Sequence, residues 1–443
     1  MAVVQGTTKN QLGLCGPSAI PSSIHHGAAP ARYARSLRKN LLWTLAGDGG
    51  YAACQWGLLI VIAKLGSAEM VGQFALGVAI TGPIVIFTAL SLRAVQATDV
   101  MGQYRFGDYL ALRLSTGLMS IVMIIGIVAS AGYRRETAWI VLAIGVAKAI
   151  EMISDIFYGL LQRHERMDYI SKSLLFRGPL SLVSMAALVY ATGNLLWGVI
   201  GLAAVFAAVL LFYDIPNGAH VLRAAGHPPV LAPQWNIDSL ANLGRSAFPL
   251  GLAALFISAS ASIPRLYVEH YAGEHDLGIF AAAAYFMLIG GMVINAAGQT
   301  SSSRLAQHYA EDRLKAFHGI LMKLVGLAAA LGTTAIGLAW WFGRDILTVL
   351  YGAEYAARPD VFVWIMVAAA VSYIGSALGY GITATRAFAR LYIPYFTMML
   401  ITLAAAALLV PIAGIRGAAW TLCVTAVISC VAPLLIFRSL RSR

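Results

Sequence analysis

The stretch "AKAIEMISDIF" sets Lys148, Glu151 and Asp155 into an otherwise apolar run, at spacings of three and four that put all three on one face of a helix. Further along, Arg177 stands in "SLLFRG". Ammonium and guanidinium groups held in an apolar setting bind an anion, and a carboxylate there takes up and releases a proton or a metal cation. The competing reading is a polar lock that fastens two helices. Three more ionisable residues stand in apolar stretches: Asp48 among glycines in "LAGDGGY", Arg245 in "LGRSAFPLG", and Arg93 near the end of the second apolar run. The glycines around Asp48 allow bending or close ligand approach. Covalent catalysis has no matching signature. The nine histidines are scattered and there is no GxSxG, P-loop or HExxH. Cys15, Cys54, Cys423 and Cys430 form no CxxC and have no histidine nearby, which implies neither a metal site nor a disulfide framework. The chain therefore reads as a binding and ion-coupling protein, not an enzyme, with no resident cofactor or metal.

The elements that must position these groups follow from composition. The 443 residues are 59% hydrophobic and only 11% charged, too apolar for a soluble core, and stretches of about 20 apolar residues recur. The fold class is all-α, a polytopic membrane protein. Twelve transmembrane helices are predicted near 40–63, 71–92, 108–131, 137–161, 170–190, 195–215, 241–262, 278–299, 317–342, 360–382, 391–411 and 414–437. The net charge of +12 does not indicate nucleic acid, because no soluble domain carries a basic face. Residues 1–38 lack the compact apolar segment of a secretory signal and read as a mobile cytoplasmic tail.

Lys and Arg concentrate in the tail's basic end, the even-numbered connections and the C-terminus. The odd connections hold only Lys64, Arg134, Arg135, Arg265, Arg344, Arg358 and Arg416. The positive-inside rule then puts both termini in the cytoplasm, with Arg163 and Arg166 in a cytoplasmic turn and Trp197, Trp340 and Trp341 at the outer interface. A short repeat relates "EMVGQFALG" after the first stretch to "HDLGIFAAA" after the seventh, matching Gly72, Phe74 and Ala75 to Gly278, Phe280 and Ala281. Six helices per repeat give two lobes related by a parallel pseudo-two-fold, 39–223 and 240–443, joined by a proline-rich cytoplasmic linker over 224–239. In "LYGAEYAARPD", Gly352 permits a turn, Tyr351 and Tyr355 suit the membrane interface and Pro359 suits the first turn of a helix, which together read as an outer hairpin.

"LGSAEMVGQFALG", "YGLLQRHERMDYISKSLLFRG", "AGEHDLGIFAAA" and "LYGAEYAARPDVFV", in this order, resemble the polysaccharide-transporter branch of the multidrug, oligosaccharidyl-lipid and polysaccharide exporter superfamily. The resemblance runs from about residue 39 to the C-terminus, leaving out the tail. It implies a bacterial inner-membrane flippase that moves undecaprenyl-diphosphate-linked oligosaccharide repeats outward by alternating access, for O-antigen, capsule or exopolysaccharide. The implied partners are that polyprenyl-linked glycan, membrane lipids, a polysaccharide polymerase and a chain-length regulator. Such a substrate needs a polar, cationic cavity, for which Arg93, Lys148, Arg177 and Arg245 are the candidates. Proton or sodium coupling, implied by the drug-exporting members, would fall to Asp48, Glu151 or Asp155. A helical hairpin turning near 162–168 puts Asp155 and Arg177 at similar depth, where they would pair. A cation-coupled drug antiporter of the same superfamily is the alternative, and a membrane glycan polymerase or ligase a more distant one.

Overall fold

Inside a bilayer every backbone N–H and C=O must be bonded within the protein, which for this sequence means helices. A computed structural model describes residues 37–99, 103–226, 231–385 and 392–441. Nearly all of the expected tail, Arg386 and Arg390, and Pro228 and Pro229 of the expected linker lie outside the described residues. Those described are helical, with no strand among them. The first half of the chain forms α1 (Leu37–Leu65), α2 (Ala68–Ala89), the short α3 (Leu92–Thr98), α4 (Phe106–Ala131), α5 (Arg135–Arg163), α6 (Met167–Thr192), α7 (Leu195–Val209) and α8 (Ile215–Ala224). The second half forms α9 (Ile237–Ala284), α10 (Phe286–Ala310), α11 (Leu314–Leu350), α12 (Pro359–Ala384), α13 (Tyr392–Ala413) and α14 (Ile415–Arg441). Side chains cap several starts: Ser67 accepts from Met70 N at 3.3 Å, Asn194 from Leu196 N at 2.8 Å and Asn236 from Asp238 N at 3.1 Å.

Ten helices among the described residues are long and apolar enough to cross a membrane. One of the ten is the run Ile237–Ser302, which breaks at Gly273 (φ 85°, ψ 176°), a conformation closed to residues with a Cβ. The seventh and eighth predicted stretches part near that break. Helix α5, interrupted by Lys148, Glu151 and Asp155, is not among the ten. The expected end of the seventh stretch at residue 262 is corrected: Pro249 and Pro264 are absorbed within α9, which runs on to Gly273. Arg265 therefore stands about 12 Å inside a helix, not in an outer connection.

Two features set the packing. Helix α1 lies against α6, where a Cβ on Gly47 would fall 2.6 Å from Ser171 Cα. Gly47 thus serves helix–helix approach, as small residues do in membranes, and not bending. Helix α2 crosses α9 at the repeat glycines. A Cβ on Gly72 would fall 1.7 Å from the Glu274 carbonyl oxygen, and one on Gly278 1.9 Å from the Ala68 oxygen. Each glycine faces the residue four before its counterpart, so the two copies of the repeat meet reciprocally. Around this crossing Glu274 accepts from Gln73 (3.1 Å) and Thr137 (2.5 Å), and Arg134 pairs with Glu69 at 2.7 Å. Trp56 Nε1 donates to Tyr351 OH at 2.8 Å, and His275 meets Glu354 at 2.7 Å. Tyr351 and Tyr355, expected at the lipid interface, are each 2% exposed, because the 3-10 turn Ala353–Ala357 folds them inward. Pro359 opens α12 as expected.

Candidate functional site

A chamber of about 260 Å³ lies where α1, α2, α5, α7 and α9 converge. Its polar lining is Tyr51, Gln55, Lys148, Arg265 and Tyr285, and no described lining residue is acidic. The cations differ in their surroundings. Lys148 Nζ is 2.7 Å from Glu151 Oε2, one turn along α5, and Glu151 also accepts from Tyr51 OH at 2.8 Å. Arg265 is partly exposed and makes no ion pair or hydrogen bond with another described residue. The lining therefore carries net positive charge, concentrated on α9, in a low-dielectric setting that strengthens its pull on an anion. A larger cavity of about 1080 Å³ beside the α2–α9 crossing carries Glu69, Glu269 and Glu274 along with Arg134, and is poorly suited to an anion.

Behind the chamber a buried network runs into the first half of the chain. Arg177 and Asp214 are both fully buried and pair at 3.3 Å. Arg177 Nη2 also donates to Ser154 Oγ at 2.6 Å, and its Nη1 stands 3.9 Å from Glu151. Ser173 Oγ donates to Asp214 Oδ1 at 2.6 Å while its oxygen lies 2.7 Å from Tyr158 OH. The Nε and Nη1 of Arg177 have no hydrogen-bond partner; the guanidinium lies 5.6 Å from the Tyr158 ring centroid and 5.0 Å from that of Phe206. Asp214 reaches this place through the π turn Leu210–Asp214, which joins α7 to α8 just ahead of Pro216. An i→i+5 turn there accommodates the proline's missing N–H.

The expected Asp155–Arg177 pair is not formed. Equal depth holds, since Arg177 meets Ser154, but each residue turns a helix by about 100°, which carries Asp155 round from Arg177 toward α3 and α4. It bridges Arg93 (3.4 Å) on α3 and the fully buried Arg113 (3.3 Å) on α4. Arg113 Nη1 also donates to the Ala89 carbonyl at the end of α2, and Arg93 Nε to Gln162 at 3.1 Å. Of the substrate-binding candidates only Lys148 lines the chamber; Arg177 lies behind it, Arg93 is tied to Asp155, and Arg245 is exposed on α9. Asp48 is exposed on α1 within electrostatic reach of Arg93.

The model of the family described as "Polysaccharide biosynthesis protein" matches residues 37–302, which hold the chamber, both repeat glycines and the buried network. The chain belongs to this family. It is 25% identical over 374 residues to the Capsular polysaccharide biosynthesis protein CapF of Staphylococcus aureus, covering 84% of this chain and 92% of that one. Its fold is similar to that of the Lipid II flippase MurJ in an inward closed conformation (TM-score 0.70, 12% identity, 90% and 87% of the two chains). It is likewise similar to an inward-facing multidrug resistance MATE family transporter of the MOP superfamily (TM-score 0.63, 14% identity, 94% and 96%). In this member of the family, sequence reasoning missed Arg265, Asp214 and Arg113. The signal for Arg265 was Gly273, a stronger helix stop than Pro264 because a proline inside a transmembrane helix is tolerated. Asp214 fell in the last turn of the predicted 195–215 stretch and was not singled out. Nothing local marked Arg113 as buried.

Proposed function

We propose that the protein is a flippase that carries undecaprenyl-diphosphate-linked oligosaccharides across the bacterial inner membrane for cell-surface polysaccharide assembly, by alternating access of two six-helix lobes. The observation that carries this reading is the cationic chamber at the meeting of α9 with α1, α2 and α5. Arg265 and Lys148 offer charge there to a diphosphate, and the Arg265 guanidinium is not committed to any described side chain. A glycan cannot enter hydrocarbon without losing its hydrogen bonds to water, so the lipid tail stays in the bilayer while the polar part passes between the lobes. Family membership supports the pathway, and the MurJ-like fold supports the architecture.

The test is genetic and biochemical together. A deletion strain should accumulate lipid-linked oligosaccharide on the cytoplasmic side. The wild-type gene should clear it, Arg265→Met should restore export to less than about a tenth of wild type at normal protein level, and Arg265→Lys should restore an intermediate amount by keeping a point charge. Unchanged glycan with altered drug tolerance in the deletion strain would instead assign the protein to drug antiport.

Orientation is proposed with both termini cytoplasmic. A reporter fused after Arg166 should then be active only as a cytoplasmic fusion and one after Glu354 only as a periplasmic fusion. Arg166 on the periplasmic side would reverse the direction assigned to every helix.

A further inference from the structure

The chamber of about 260 Å³ falls at or below the small end of ligand sites, roughly 300–1,000 Å³, enough for a diphosphate but not for an attached oligosaccharide. A second cavity, of about 450 Å³, lies within the second half of the chain among α9, α10, α12, α13 and α14. Among its described lining residues none is charged. It presents instead Asn295, Ser372, Ser376, Tyr380, Thr383 and Tyr395. The two cavities flank the same helices: Arg265 of the chamber is one turn along α9 from Ala261 of the cavity, and Tyr285 is two residues from Met287.

Polar groups in this cavity are left open. Helical serines and threonines in a membrane commonly bond back to a carbonyl one turn earlier, as Ser260 does to Phe256 (2.8 Å) and Thr383 to Gly379 (3.0 Å). Ser372 and Ser376 make no hydrogen bond with another described residue, and Tyr380 OH donates to the Asn295 oxygen at 3.3 Å, leaving the Asn295 amide N–H groups uncommitted. Unpaired donors and acceptors at membrane depth require water or a ligand. An acyl tail would leave them unpaired, and a diphosphate would find no cation. A sugar matches both parts of the lining, because its hydroxyls donate and accept while its C–H faces lie against aromatic rings such as Tyr380 and Tyr395.

We infer that this uncharged cavity is the glycan subsite, so that the substrate lies along α9, the diphosphate at Arg265 and the sugars one turn earlier, at Ser260 and Ala261. The inference rests on the flippase reading and adds the part of the substrate that the second half recognises. Full-length protein purified in nanodiscs is tested with two probes, sugar-free undecaprenyl diphosphate and the lipid-linked oligosaccharide extracted from the deletion strain. Ser376→Leu should weaken binding of the glycan-bearing lipid at least about tenfold and leave the sugar-free lipid within about twofold, whereas Arg265→Met should weaken both. The thiol introduced by Ser376→Cys, read against the wild-type labelling background, should be protected from maleimide by the glycan-bearing lipid and not by the sugar-free one. This second variant changes little volume and covers the case in which Ser376→Leu fails to fold. Equal protection by the two lipids, or unchanged glycan affinity in a folded Ser376→Leu protein, overturns the glycan subsite while leaving the flippase reading intact. Binding of neither probe by wild-type protein overturns both.

Discussion

Replacing Arg177 with methionine should remove most of the folded protein from the membrane, and removing Asp214 along with it should bring the protein back. The pair is fully buried at 3.3 Å, and neither residue lines the chamber. Truncating one member strands the other, a loss of about 3–5 kcal/mol set against a total stability of about 5–15 kcal/mol. Loss of Arg177 also takes a cation from beside Glu151 and frees Ser154. The double variant Arg177→Met with Asp214→Leu leaves no stranded charge at that site, and Lys148 continues to neutralise Glu151 at 2.7 Å. Detergent-extracted protein is compared by size-exclusion profile and melting temperature, with glycan export measured in the same strains. Arg177→Met protein melting within a degree or two of wild type would show that the pair does not hold the first half together. A double variant that folds and still exports nothing would place Arg177 in the transport path despite its burial.

The second large effect is expected at the crossing of α2 and α9. Alanine at Gly72 or Gly278 would put its Cβ 1.7 or 1.9 Å from a backbone oxygen of the facing helix, which no rotamer can relieve because the obstacle is main chain. The helices must separate by at least about 1 Å, and packed interfaces switch between discrete arrangements and do not stretch smoothly. In the proposed orientation this crossing closes the outer side, held by Gln73 and Thr137 on Glu274 and by Trp56 on Tyr351. Gly278→Ala should therefore arrest the protein with its outer side open. The expected signs are export reduced at least about tenfold at normal protein level, and a thiol introduced by Gln73→Cys, which itself removes the bond to Glu274, that reacts faster with a membrane-impermeant reagent when Gly278→Ala is added than in Gln73→Cys alone. Gly126→Ala is the control, since a Cβ there meets nothing within 4 Å. Full export by Gly278→Ala would mean that closure at these glycines is not part of the cycle.

The sequence by itself determined the class of protein. Long apolar stretches with few acids leave only transmembrane helices, and the distribution of Lys and Arg sets an expected orientation, because both depend on composition summed along the chain. It also marked Gly72 and Gly278 as counterparts, and it placed Lys148 and Glu151 together, since a spacing of three on one helix is local geometry. Only the tertiary structure decided which charges on different helices meet. Asp155 and Arg177 were correctly matched in depth, yet one residue of helical phase sends Asp155 to Arg93 and Arg113 and gives Arg177 to Asp214. Arg265 reads as a loop cation in sequence and becomes a chamber cation because α9 continues through Pro264 to Gly273. Burial, pairing and cavity lining depend on the rotation of one helix against another, which contacts between residues far apart in the chain determine and no local pattern records.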